Sequence, residues 1–261
     1  MKFIKSNDSK IIQNYRVKLY RSLSAPIDAM WENLYIKMSQ SYFILLEDKN
    51  IGYFCVDKKG SLLQIYILDD YKYQTINIVN DLIQKKLINS ASLSSNEPIS
   101  FNACLSISKS IKVNTFCFNY FSKVIPDNSP LNLELAQSKD IDNIKSFLIK
   151  QIGFEDTFGY TKNLVTRKEI FILKESGIII ATSECRISET QLGYVDLGVI
   201  VNKDFQKKGL ATRIINHQAE RFFKLGMNPI CSTTVDNIAA KKALEKAGFY
   251  CSNIIFDIDL Y

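Results

Sequence analysis

Histidine is nearly absent from this chain of 261 residues: His217 stands alone. One histidine gives no basis for a His-rich metal site, so no metal is expected, and it leaves little room for a histidine triad. Glycine is scarce in one half only. Gly52 and Gly60 precede Pro130, and the other eight glycines follow it. Glycine serves where backbone turns left-handed or comes close to a ligand, so such places are expected in the second half. No cysteine pair has CxxC spacing. Cys55, Cys104, Cys117, Cys185, Cys231 and Cys251 lie mostly in apolar stretches such as Phe54-Cys55-Val56 and read as buried reduced thiols. No uncharged run is long enough to span a bilayer, and residues 1–8 lack the apolar segment of a signal peptide. The expected compartment is the cytoplasm, with no membrane partner.

What is present is globular composition: 46% hydrophobic, 23% charged and 11% aromatic residues, which excludes disorder, collagen and coiled coil. The length fits one large domain or two compact ones. The net charge of +6 is spread along the chain, and no basic run with interleaved aromatics tracks a phosphate backbone. No nucleic-acid partner is expected.

The strongest punctuation is Pro126-Asp127-Asn128-Ser129-Pro130, a polar turn between apolar segments. It divides the chain into expected domains 1–128 and 131–261. A second polar patch, Asn89-Ser90 through Asn96-Glu97-Pro98, reads as a loop inside the first half. In the second domain, apolar spacing predicts a strand over 131–135 and helices over 140–151 and within 154–167. Strands follow over 169–174, 178–188 and 194–201, then a helix over 210–225, a strand over 229–234, a helix over 237–247 and a strand over 249–260. The first half repeats much of that order: helices at 11–23 and 27–38, strands at 42–47, 52–56 and 62–68, a helix at 74–88 and a strand at 99–105. This order suggests an internal duplication.

The richest segment is Val199-Ile200-Val201-Asn202-Lys203-Asp204-Phe205-Gln206-Lys207-Lys208-Gly209-Leu210-Ala211-Thr212, a strand, a loop and a helix start. A helix start presents unpaired N–H groups and a positive dipole end, which suit an anion. Gly209 allows close backbone approach, and Lys207 and Lys208 add charge. The plain alternative is an ordinary strand-to-helix turn with solvated lysines.

Gln206-x-x-Gly209-x-Ala211 resembles the pyrophosphate motif of the GNAT superfamily of N-acetyltransferases. Asn237-Ile238-Ala239-Ala240, running to Ala247-Gly248-Phe249, resembles that family's second motif, with one helix and one strand between the two. The resemblance is specific over about residues 170–257. It implies an α/β (α+β) fold: a mixed, mostly antiparallel sheet flanked by helices, here as two tandem domains. It implies acetyl-CoA as co-substrate. Backbone groups of Val199, Ile200 and Val201 would pair with the pantetheine arm. N–H groups of Lys207, Lys208, Gly209, Leu210, Ala211 and Thr212 would hold the pyrophosphate, and Asn237 would contact the cofactor. The plain alternative for Asn237 is a helix cap.

The activity implied is acetyl transfer to a primary amine, on a small molecule or a peptide, by direct attack. The candidate bases are Glu184, on one strand face with Thr182 and Arg186, and Asp196. A carboxylate flanked by apolar strand residues would be desolvated and its pKa raised, which suits a base; an ion pair with Arg186 or a lysine is the plain alternative. Leu244 departs from the family, which often has a tyrosine acid there, so water or Tyr250 would protonate the thiolate if anything must. Two other classes stay open, a catalytically silent acyl-CoA-binding protein and a nucleic-acid module. In the first half the corresponding loop, Ile67-Leu68-Asp69-Asp70-Tyr71-Lys72-Tyr73-Gln74-Thr75-Ile76, has no glycine, and its acidic pair would repel phosphate. That half reads as degenerate, either shaping the acceptor site or simply packing, with Trp31, Tyr35 and Tyr42 as core aromatics.

Overall fold

A computed structural model describes residues 1–6, 8–121, 131–156 and 158–261. The expected cut between 128 and 131 therefore falls at the edge of, and mostly outside, the described residues. Contacts divide the chain into two compact units, Met1–Cys117 with Cys251–Tyr261, and Phe118–Tyr250. The last strand thus counts with the first unit, whereas a cut at the linker alone assigns it to the second.

The first unit runs β1 (Lys2–Lys5), α1 (Ser9–Ser22), a π-helical turn (Trp31–Ile36), β2 (Gln40–Leu46), β3 (Lys49–Val56) and β4 (Ser61–Ile67). A 3-10 segment (Asp69–Gln74), α2 (Thr75–Gln84), β5 (Ser90–Ser94), α3 (Pro98–Ser106) and most of β6 (Ser108–Tyr120) come next. β1 to β4 pair antiparallel in sequence, β5 lies parallel to β4, and β12 (Phe249–Leu260) pairs antiparallel with β5. Ile78, Val79 and Leu82 of α2 recur at helical spacing and pack on Phe54, Leu62 and Ile65. Each such side chain contributes about 1.5–3 kcal/mol by leaving water. Gly52 has a local reason: a Cβ there would lie 2.1 Å from the Tyr66 carbonyl oxygen.

Two expectations fail in this unit. The segment read as a strand over 99–105 is helix α3, because Pro98 opens it and the Glu97 carboxylate accepts the Ser100 N–H at 3.0 Å. The serine-rich stretch read as loop holds β5, whose alternation buries Ala91 and Leu93.

The second unit runs β7 (Leu133–Leu135), α4 (Ile141–Ile152), α5 (Tyr160–Thr166), β8 (Ile170–Glu175), β9 (Ile178–Ile187) and β10 (Tyr194–Val201). A 3-10 turn (Lys203–Phe205), α6 (Leu210–Lys224), β11 (Asn228–Thr234) and α7 (Ile238–Lys246) lead to β12. β7 to β10 pair antiparallel and β11 lies parallel to β10. One face of the sheet carries α4 and α5, with Ile144, Phe147 and Leu164 on Ile170 and Ile172. The other carries α6, with Ile214 on Ala181 and Val201. Each unit is thus a mixed, mostly antiparallel sheet flanked by helices, and the order of elements repeats, as the sequence suggested. Among the described residues no helix is long and apolar enough to cross a membrane.

Candidate active site

The opening of the second unit's sheet sets the site. β10 stays paired with β9 from Val195 to Val201, but its pairing with β11 stops after Asp196, opposite Ile230. From Leu197 onward β10 turns toward the gap an edge that β11 does not pair. Its N–H and C=O groups there can take an extended amide-bearing chain as a strand would. Val199 and Ile200 lie in this stretch and are half-buried, and Val201 is buried. The Val201 carbonyl accepts a hydrogen bond from Gln206 Nε2 at 3.1 Å. The Gln206 side chain thereby ties the loop back to the end of the strand.

Beyond Gln206 the backbone is left-handed at Lys207 (φ 60°) and again at Gly209 (φ 78°). Open space surrounds the point where a Gly209 Cβ would stand. α6 begins at Leu210 without a side-chain cap, and its first turn closes with the Arg213 N–H on the Gly209 carbonyl at 3.1 Å. The N–H groups of Leu210, Ala211 and Thr212 precede that bond, so uncapped donors and the positive helix end meet an open loop. Lys207 and Lys208 are exposed, Lys208 Nζ resting 5.3 Å from the Phe205 ring centre. An uncapped helix start, a left-handed glycine in open space and two cations suit a pyrophosphate. Asn237 is exposed and caps α7, its Oδ1 accepting the Ala240 N–H at 3.1 Å. Its Nδ2 makes no hydrogen bond among the described residues.

On the α4–α5 face lies a buried polar cluster. Arg186 stands opposite Asp196, and Glu184 opposite Gly198. The Arg186 guanidinium donates to Glu184 and, at 2.6 Å, to Asp196. The Tyr160 hydroxyl donates to Glu184 at 2.6 Å, and Arg186 donates to that hydroxyl at 3.1 Å. Glu184 and Asp196 are buried, and Arg186 and Tyr160 half-buried. Burial alone would push the guanidinium down, but Asp196 and Glu184 outweigh it and hold Arg186 charged. The Tyr160 hydroxyl is pushed up, first by burial, so it stays protonated as a donor. Thus the two carboxylates do not stand in an apolar surround; they share one guanidinium, which corrects the expectation of a merely desolvated carboxylate.

The sequence reading missed Tyr160, and with it the residue that aims it. Asp156 accepts the N–H groups of Tyr160 (2.6 Å) and Thr161 (3.0 Å), fixing the first turn of α5. Strand alternation did put Arg186 on the face of Glu184, which was the available signal. Cys185 is buried with its thiol pushed up to about 12 by burial, so it is no nucleophile at neutral pH. Five of the cysteines are buried as expected, but Cys251 is exposed. Leu244 is buried inside α7, and Tyr250 is exposed against Phe121. His217 is exposed on α6. No group of three metal-ligating side chains exists among the described residues.

Comparison with known proteins gives a consistent picture. A model described as acetyltransferase (GNAT) domain matches residues 8–121, and one described as acetyltransferase (GNAT) family matches 141–249. Among solved structures, an acetyltransferase from the GNAT family of Colwellia psychrerythraea superposes with a TM-score of 0.96 at 24% identity, each chain covered completely (100%). A GCN5-related N-acetyltransferase from Sphaerobacter thermophilus has a TM-score of 0.68 at 12% identity, covering 99% of this chain and 95% of that one. A tandem GNAT protein from the clavulanic acid biosynthesis pathway has a TM-score of 0.60 at 10% identity, covering 99% and 98%. At these identities the likeness is one of fold. The sequence matches none of the curated proteins compared with it.

Proposed function

Because the chain belongs to the GNAT acetyltransferase family, with one such domain in each half, we propose that it transfers an acetyl group from acetyl-CoA to a primary amine. The observation that carries this is the parting of β10 from β11 after Asp196, beside the Gln206–Gly209 loop. Backbone groups of Val199, Ile200 and Val201 pair with the pantetheine arm. The donors from Lys207 to Thr212 hold the pyrophosphate, and Asn237 contacts the cofactor from the start of α7.

The amine nitrogen attacks the thioester carbonyl, the C–N bond forms and the C–S bond breaks. Glu184 takes the amine proton, directly or through one water. Of the two carboxylates it is the better base, since its partner position Gly198 lies beyond the last β10–β11 pair. Asp196, still covered by β11, holds Arg186 in place. Water protonates the departing thiolate, because Leu244 is buried and apolar. The cytoplasm fits as the compartment, and a small-molecule or peptide amine as the acceptor.

Calorimetric titration with acetyl-CoA, followed by thiol release across an amine panel, tests this reading. Absence of saturable acetyl-CoA binding overturns it. Leu244 and the engaged carboxylates favour one other reading, a silent acyl-CoA sensor; binding without thiol release for any amine selects it.

A further inference from the structure

The first unit has a parting of its own. β4 pairs with β5 only at Ser61 and Leu62, while its other edge stays paired with β3 as far as Ile67. Along the freed edge lie two adjoining hollows that share Leu19, Ile65, Glu97 and Ser100. The outer reaches Lys72 and Thr75 at the start of α2. The inner ends on Trp31, Leu63, Leu93 and Ile255.

Two features separate this cleft from a nucleotide site. The segment that follows β4 carries Asp69 and Asp70 where a phosphate loop would need glycine, and Lys72, which lines the outer hollow, holds its Nζ 2.7 Å from Asp69. The inner hollow is lined by Asp28 and Glu97, whose carboxylates also accept the Trp31 and Ser100 N–H groups, and by no cationic residue. Its polar walls are already fixed. Asn96 Nδ2 donates to the Ala25 and Pro26 carbonyls at 3.0 and 3.3 Å, the Tyr53 hydroxyl donates to Gln64, and Asn253 Nδ2 donates to Ser94 Oγ at 2.7 Å. A cleft held open in this way loses little entropy on binding.

We propose that this cleft binds a short extended peptide amine: a ligand with backbone-like amides and a positive charge, and no phosphate. The freed edge of β4 hydrogen-bonds its amides as an added strand would, and the apolar walls take a side chain. The acidic lining holds the ammonium group, while Asp69 and Asp70 turn phosphorylated ligands away. The site is separate from the transfer reaction proposed for the second unit and stands or falls without it.

The test is calorimetry on the full chain with lysyl-alanyl-alanine amide and, separately, coenzyme A. One peptide site in the first unit is expected, unchanged in Gly209→Trp and apart from any acceptor site in the second unit. Glu97→Gln keeps the cap on α3 but removes a charge, and weakens the peptide about tenfold. Ser100→Leu, at the junction of the two hollows, abolishes peptide binding, with thermal unfolding confirming that each variant folds. Coenzyme A is expected at one site that Gly209→Trp removes. The proposal is overturned by no saturable peptide binding, by peptide binding lost in Gly209→Trp but kept in Ser100→Leu, or by coenzyme A binding that survives Gly209→Trp and fails in Ser100→Leu.

Discussion

The two units part their sheets at corresponding places, and the difference between them lies at the mouth. In the first, β4 leaves β5 after Leu62; in the second, β10 leaves β11 after Asp196. Both openings are products of strand pairing, so the scaffold of a cleft survives wherever the order of elements does. The segments beyond the two open strands are unlike. After β10 comes a loop with left-handed backbone at Lys207 and Gly209 and an uncapped helix start; after β4 comes a 3-10 segment with two aspartates. An opening is thus easily kept, whereas the phosphate seat proposed for the second unit rests on a few residues, chiefly Gly209.

The most severe test of this division is Gly209→Trp. The side chain occupies the open space over the loop in a conformation that non-glycine residues seldom adopt. Acetyl-CoA binding should vanish in calorimetry, while the left-handed backbone costs about 1–2 kcal/mol of stability and the chain still folds. Gln74→Trp, at the residue that precedes α2 as Gly209 precedes α6, should leave acetyl-CoA affinity untouched. Equal losses from both would mean that the units are not divided in this way.

Next in size is Glu184→Gln. If Glu184 takes the amine proton, kcat should fall about 100- to 10,000-fold with acetyl-CoA affinity unchanged. Asp196→Asn should cost less in kcat. A reversed order would exchange their roles. Arg186→Met then tests the cluster as structure. It leaves two carboxylates buried without their cation, and breaking such a pair from one side costs about 3–5 kcal/mol. Chemical unfolding reads this directly; a loss below about 1 kcal/mol would mean that water reaches the cluster.

The contrast between the units also explains which elements were legible in the sequence. Strand β10 and helix α6 were legible because apolar periodicity and flanking glycines mark them, and the loop between was legible because glycine is rare enough to notice. β5 was not, because Ser90, Ser92 and Ser94 look like loop residues until Ala91 and Leu93 are seen to face the core. α3 was misread because its short run of apolar residues fits either period, and only Glu97-Pro98 distinguishes them. The carboxylates were named from strand alternation, but their shared guanidinium depends on the register of β9 against β10, which is a long-range property. Tyr160 comes from a segment whose helix start is set by one aspartate, a cue too local to stand out.

That aspartate gives the smallest effect and the finest discrimination. Asp156 caps α5 and so orients Tyr160 over Glu184. Burial alone would raise its carboxyl, but the backbone N–H groups of Thr161 and Tyr160 and the charge of Lys145 outweigh this and hold it below its usual 3.8. A carboxyl depressed in the folded state stabilises above its unfolded value and loses that contribution as the pH falls through the folded one. At neutral pH the cap is therefore fully in force, and Asp156→Ala should cost about 1 kcal/mol of stability. The same variant frees Tyr160 and so the placing of Glu184, and kcat should fall with acetyl-CoA affinity unchanged. The stability difference between the two proteins should shrink as the pH drops below 3.8. Asp156→Asn keeps an acceptor oxygen without the charge and should restore much of the stability at neutral pH. If Asp156→Ala leaves kcat unchanged, Tyr160 does not place Glu184, and the division of labour within the cluster changes accordingly.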